Sequence, residues 1–517
     1  MAQQVPGEVT DECSRGCKQK SENFILCFES KVSEIVANDS KIPGYCTLGD
    51  KKNSVAKDID SRDWADFGYP LSTTSDEACK LYDAAVSQLT GWYEDPNFGG
   101  LSATIEKMLA ADPEFVMGHI LNTSIKLVGT VFIAEDDAIR EEITKLEQLM
   151  SNKTVTEIES KHLEAIKLLL DADLKGAVAT YDAILHINHF DILAIRNLFF
   201  GGFFLGAYGY ARDVMSRVVH EWDPSMPLYG YFLGEYAFLS QETYLFQRAE
   251  RDGFRALEIN RHDIFATHAI SHVYEMQGRV EEGLKLVEGS EKDWNVCDKL
   301  ACHMYWHNSL YYVEKGTYEE ALNIFDNELV KRYKDSKSPG HMVDCSSLLY
   351  RLELENCPVG ERWKSVFEIM DGSFKNHSNL YIDPHLLMTC LGAKDKEATT
   401  TFMNTFRESV RNGHGHSKGI SERIILPVCE AMKAHDEGEY GKAVDITYPL
   451  RHEFVKMGGS NAQRDVFDLL LIDSALKSDR KEHKNIGRHL LVERKAFKEN
   501  SPMTDRLMEK LLVSHVV

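Results

Sequence analysis

The sequence predicts an all-α chain organised as a solenoid of helical hairpins wound into a right-handed superhelix. Three observations predict it. From Arg62 onward apolar residues recur at helical spacing, with few alternating β-branched runs. Prolines are scarce, 13 in 517 residues, and sit mostly at turns such as Asp112-Pro113, Asp223-Pro224 and Asp383-Pro384. A grammar of Gly, small and aromatic residues also recurs along the chain, which is the mark of repeated helix pairs.

The elements follow in order. Residues 1–61 form a polar, variable segment that carries Cys13, Cys17, Cys27 and Cys46. An amphipathic helix is expected around Asn23–Val36, where Phe24, Cys27, Phe28 and Ile35 share a surface. The four cysteines contain no CxxC pair and have no neighbouring His, which gives little support to structural zinc. The N-terminus has no basic and apolar secretory pattern, so an oxidising compartment is not expected and cytoplasmic location is the default.

Residues 62–502 carry the repeats. A tetratricopeptide unit spans about 34 residues, with small residues at positions 8 and 20 and large ones between. With Gly316 at position 15, Tyr305, Ser309, Tyr312, Tyr318, Ala321 and Phe325 fall at 4, 8, 11, 17, 20 and 24. With Gly278 at 15, Ser271, Tyr274, Gly283 and Val287 fall at 8, 11, 20 and 24. Gly438, Tyr440 and Ala443 fit a third unit. Looser units hold Ala172, Leu174, Ala177, Tyr181 and Ile184, then Gly206, Tyr208, Ala211 and Met215, then Ala249, Ala256 and Asn260. Small residues let paired helices approach, and large ones fill the space between repeats. The strict period breaks near 335–420 and after Asn461, and residues 503–517 form a C-terminal helix or tail.

Composition narrows the function. With 59 basic and 81 acidic residues the formal charge is −22, which argues against nucleic acid or an anionic membrane as the main partner. The most apolar run, NLFFGGFFLGAYGYA at 197–211, is too short and too glycine-rich for a membrane span. Motifs such as G-x-S-x-G, H-E-x-x-H, the phosphate loop and the kinase set are absent.

Several segments resemble the tetratricopeptide repeat protein 38 family: RDWADFGYPLSTTSDEACKLYDAA (62–85), ADPEFVMGHI (111–120), ATHAISHVYEM (266–276), LACHMYWHNSLYYVEKGTYEEAL (300–322), VDCSSLLYRL (343–352) and GGSNAQRDVF (458–467). The resemblance runs from about Arg62 to about Pro502. It implies an elongated helical-repeat fold and brings no settled activity. The cysteine-bearing leader departs from the family pattern, as does Tyr274, where a further His is common.

The leading candidate functional residues lie in two of these segments. In tetratricopeptide repeats positions 2, 5, 9 and 12 of the first helix face the concave groove. His268, His272 and Glu275 fall at 5, 9 and 12, and His303 at 2 of the next unit, with His307 leaning towards the neighbouring helix. His268, His272, Glu275 and His303 together are chemically competent to hold a divalent ion, zinc or iron, or to act as acid–base catalysts. Asp344 and His385 extend the same polar stripe, with His119 a candidate at its other end. Arg464, in GGSNAQRDVF, reads either as an anchor for a ligand anion or as a buried inter-helix partner together with Asp465.

Two functions lead, ahead of a third class, an oligomeric structural element. One is a binding scaffold that holds a peptide, protein or small ligand in the concave groove through His268, His272, Glu275, His303, His307, Asp344, His385 and Arg464. The other is a metal-dependent or acid–base enzyme using the His/Glu cluster in the same groove.

Overall fold

The computed structural model describes residues 71–514, apart from 131–136, 225, 227, 376, 378–379 and 414. The cysteine-bearing leader and the helix expected at Asn23–Val36 lie outside the described residues. Among the described residues there is no strand; every regular element is a helix.

The first hairpins are formed by α1 (Asp76–Gly91), α2 (Gly100–Ala111), α3 (Val116–Thr130), α4 (Asp137–Ser151), α5 (Glu157–Leu170) and α6 (Leu174–Ile187). The middle of the array comprises α7 (Ile192–Leu205), α8 (Tyr208–Val218), α9 (Tyr229–Glu242), α10 (Phe246–Ile259), α11 (Ile264–Gln277), α12 (Val280–Gly289), the one-turn α13 (Glu291–Trp294) and α14 (Asp298–Lys315). Then follow α15 (Tyr318–Ile324), α16 (Val330–Ser336), α17 (Pro339–Leu354), α18 (Arg362–Met370), α19 (Ile382–Gly392), α20 (Lys396–Asn412), α21 (Gly415–Ile420), α22 (Leu426–Asp436) and α23 (Tyr440–Thr447). The chain ends in α24 (Asn461–Lys477), α25 (Lys481–Phe497) and α26 (Pro502–Ser514).

Successive helices pack on one another and on the next helix but one, as in α9 against α10 and α11. That is the contact pattern of stacked helical hairpins, so the array is of the tetratricopeptide type. The spacing rule has a visible physical basis. Tyr311 of α14 lies on Gly283 of α12, where any Cβ would strike the phenol ring, and its hydroxyl donates to the Ser271 carbonyl of α11 at 2.6 Å. Two small repeat positions thus meet one aromatic ring, that of Tyr311 rather than of Tyr312 at position 11. Beyond the leader, Cys79, Cys297, Cys302, Cys345, Cys390 and Cys429 are buried thiols, and Cys357 is half-buried.

The array does not leave its inner face bare. From a 3-10 segment at Tyr448–Met457 the chain turns back, and α24 packs against both α11 and α17. The returning backbone meets the turns of earlier hairpins closely. Gly206 ends α7 at φ +64° with its α-carbon against the Val455 carbonyl. Gly278 ends α11 at φ +70°, where a Cβ would come 2.9 Å from the Asn500 backbone. Both positions need the left-handed conformation and the missing side chain at once. At the C-terminus Arg506 of α26 donates to the Val313 and Glu314 carbonyls, both at 2.9 Å, and so caps α14. Among the described residues no helix is long and apolar enough to cross a membrane.

Candidate functional site

Asp263 starts α11, its carboxylate accepting from the Ala266 N–H at 3.1 Å, and Gly278 closes the helix. Between those caps His268 and His272 stand one turn apart on one face. His303 and His307 do the same on α14, which packs beside α11. The packing brings the two pairs together: one ring nitrogen from each imidazole lies within 4.8 Å of the other three. Ring centroids are 4.4 Å apart for His268–His272 and for His272–His307, and 4.7 Å for His303–His307. The Nε2 atoms of His268 and His272 share a 2.8 Å hydrogen bond.

Carboxylates stand behind the rings. His303 Nδ1 donates to Asp344 Oδ1 of α17 at 2.8 Å, and His307 Nδ1 donates to Glu275 Oε2 at 3.1 Å. His272 Nδ1 faces Glu242 Oε1 of α9 at 3.9 Å. Phe238 stacks on His268 and Trp306 stacks on His303, which seals the flanks. His272 and His307 are fully buried, His268 is nearly so, and the His303 side chain retains 12% exposure. Burial first, and then the neighbouring imidazoles, hold His268, His272 and His307 well below the ordinary histidine range. Burial also pushes Glu275 up to about 7, against the opposing pull of Lys498 and Arg351.

The expected residues do not all fall where spacing puts them. His307, expected to lean towards the neighbouring helix and left out of the ion-holding set, joins His268, His272 and His303. Glu275, expected in the set that could hold an ion, sits behind His307 and orients it. Asp344 orients His303 in the same way. His385 is buried elsewhere, its Nδ1 on the Tyr381 carbonyl at 2.8 Å and its ring against Phe467. His119 bonds the Pro113 carbonyl of its own helix start at 2.8 Å.

The open groove expected at this stripe is covered by the returning chain. Arg464 of α24 is buried and donates to Asn461 Oδ1 at 2.7 Å, the Tyr208 hydroxyl at 3.1 Å, the Gly459 carbonyl and Glu242. Glu242 in turn accepts from the Asn461 backbone N–H at 2.9 Å. Asp465 pairs with Arg494 of α25 rather than with Arg464. Glu242 is a residue that sequence reasoning missed. Its hairpin turn places Tyr244, not Gly, at the left-handed position (φ +64°), and the unit is legible only from Ala249, Ala256 and Asn260 of its second helix.

A cleft of about 730 Å³ opens next to Glu242, between the α7–α8 turn, the end of α9, the 448–457 segment, α24 and α25. Its mouth carries Tyr244 and Phe497, 57% and 43% exposed, in edge-to-face contact at 5.2 Å. Its walls hold three paired bases: Arg451 with Glu493 at 2.7 Å, Arg494 with Asp465, and Lys498 with Glu314 at 3.6 Å. Asp468 lies in the same wall, and burial, followed by the charge of Asp465, pushes it up to about 7.

No family model matches this chain. Among solved structures it is similar to the human IFIT1 dimer with m7Gppp-AAAA, at 14% identity and a TM-score of 0.33, over 86% of this chain and 95% of that one. A monomeric IFIT1 mutant with Gppp-AAAA matches at 14% identity and a TM-score of 0.33, over 85% and 95%. Yeast Tom70 matches at 14% identity and a TM-score of 0.28, over 85% and 96%. Likeness this remote bears on neither the architecture nor the ligand of this chain.

Proposed function

We propose that this protein is a helical-repeat binding scaffold that takes a peptide or small-molecule ligand in the cleft between the α7–α8 turn, the end of α9, α24 and α25. The observation that carries this reading is the pair of exposed aromatic rings, Tyr244 and Phe497, at the mouth of a cleft with charged walls. Ligand sites combine an apolar anchor with a few placed polar groups, at volumes of roughly 300–1,000 Å³. Exposed aromatics grouped at a cavity are otherwise a liability in water. The histidine stripe is not the ligand surface in this reading, because the chain's own α24 packs on α11. An acid–base role for the cluster is the weaker reading, since His268, His272 and His307 are buried.

We also infer that the chain is a member of the tetratricopeptide repeat protein 38 family. The segments ATHAISHVYEM, LACHMYWHNSLYYVEKGTYEEAL and GGSNAQRDVF support this. They build the buried cluster and the return that covers it.

The test is selection of displayed random peptides on the immobilised full chain, with Tyr244→Ala/Phe497→Ala as the counter-target. Peptides that bind the wild type and lose at least about tenfold in affinity on the variant, as loss of an aromatic anchor implies, support the cleft. Equal binding to a variant with an unchanged circular dichroism spectrum places the ligand elsewhere.

A further inference from the structure

The histidine cluster has a chemistry that packing alone does not explain. His303 and His307 each donate their Nδ1–H to a carboxylate, which leaves Nε2 of both rings as a lone pair. His307 Nε2 is buried with no hydrogen-bond partner. His268 and His272 share a single proton between their Nε2 atoms, so one of those two is also a lone pair. Three nitrogen lone pairs therefore converge in a buried volume that offers one N–H among them. Such a concentration of acceptors calls for a cation.

We propose that His268, His272, His303 and His307 bind one divalent transition-metal ion, zinc or iron, in a closed four-imidazole shell that staples α11 to α14. This goes beyond the binding-scaffold reading and stands whether or not the cleft holds a ligand. The geometry is within reach. Metal–nitrogen bonds of about 2.0–2.1 Å in a tetrahedron put the nitrogens about 3.3 Å apart. The ring nitrogens bracket that value, from 2.8 Å between His268 and His272 to a limit of 4.8 Å across the set. Neutral imidazoles suit zinc and iron, and no thiolate belongs to the cluster.

The outer groups match as well. Ligating histidines are held from behind by carboxylates that set tautomer and ring orientation. Asp344 and Glu275 do this for His303 and His307, and Glu242 faces His272. Their negative charge offsets a buried dication. Four imidazoles complete a tetrahedral shell and leave no open position for water, which is the arrangement of a structural rather than a hydrolytic centre.

The experiment uses the full chain without a polyhistidine tag, prepared without chelator. Metal content is measured by elemental analysis after gel filtration, and affinity by zinc titration against a chromogenic chelator. About one equivalent of metal per chain is expected, as for a single four-ligand site, with loss in His268→Ala/His303→Ala and retention in His119→Ala. Because the double variant removes buried side chains, Asp344→Asn provides a second arm. It keeps all four imidazoles and is expected to weaken zinc by about 10–100-fold. Cobalt substitution reports the shell: a tetrahedral spectrum indifferent to azide is expected.

Folded wild type that takes up neither zinc nor iron(II) overturns the proposal, and so does unchanged affinity across the double variant and Asp344→Asn. A cobalt spectrum that shifts with azide overturns the closed shell.

Discussion

The return of the chain across its own hairpins depends on the α24–α25 pair, and the ion pair inside it is open to a quantitative test. Asp465 receives both terminal nitrogens of Arg494, with Arg494 Nη2 at 2.8 Å from Oδ2. The two side chains are 10% and 14% exposed. Burial works to raise the Asp465 pKa; the Arg494 charge and hydrogen bonds, with Lys498 and Arg351 beside them, more than overcome it and hold the group well below the usual carboxylate range. Arg494→Met keeps the aliphatic stem and strands the carboxylate. Breaking a buried pair from one side costs about 3–5 kcal/mol, and the residual exposure places this one near the lower figure. Arg494→Met/Asp465→Leu removes both charges and should recover about 2–3 kcal/mol of that loss, a non-additivity that the double-mutant cycle reads directly. Repeat arrays can unfold piecewise, so the readout is native-state hydrogen exchange of amides in 461–497 as well as urea melts. Single variants that each cost less than about 1 kcal/mol, with no coupling, would show a pair worth no more than a solvated surface pair.

Four further outcomes are expected. Gly278→Ala forces a left-handed residue and a Cβ into the Asn500 backbone, at a cost of about 1–2 kcal/mol for the conformation alone, and faster exchange at 498–505 is the sign to look for. Gly283→Leu drives a side chain into the Tyr311 ring and should destabilise by about 1–3 kcal/mol in urea titration. Asp263 is buried with a carboxyl oxygen lacking a partner, and burial pushes it up to about 7 from 3.8. Its folded pKa exceeds its unfolded one, so its contribution is fully present below about pH 4 and is lost as pH rises through 7; Asp263→Asn should flatten that part of the stability–pH curve. Added zinc at about 100 times its dissociation constant should stabilise the wild type by about 2.7 kcal/mol and leave His268→Ala/His303→Ala unmoved in calorimetry.

Much of the architecture was legible in local spacing. The Gly278 and Gly316 frames located two hairpin turns, and Ser271 and Gly283 stand at the small positions where the helices meet; the aromatic ring there is Tyr311, one residue before the Tyr312 that the frame named. The same frames placed His268 and His272 on one face of one helix, and i, i+4 geometry alone suffices for that. The rotation of α14 about its axis was not legible. It decided that His307, not Glu275, completes the cluster, because which face of a helix meets its neighbour depends on packing from both sides. The hairpin with Tyr244 at its turn hid Glu242 for a simpler reason, the absence of the expected glycine.

The sequence by itself determined helix, hairpin and the pairing of histidines within each helix, since these follow from relations over tens of residues. Tertiary structure alone decided that the inner face is covered. Tyr208 meets Gly459 across 251 positions, Glu242 meets Asn461 across 219, and Arg351 meets Ala462 across 111. No periodicity relates residues so far apart. Their meeting depends on the summed packing of every hairpin between them, and that packing turns a solvent-facing stripe into a buried cluster.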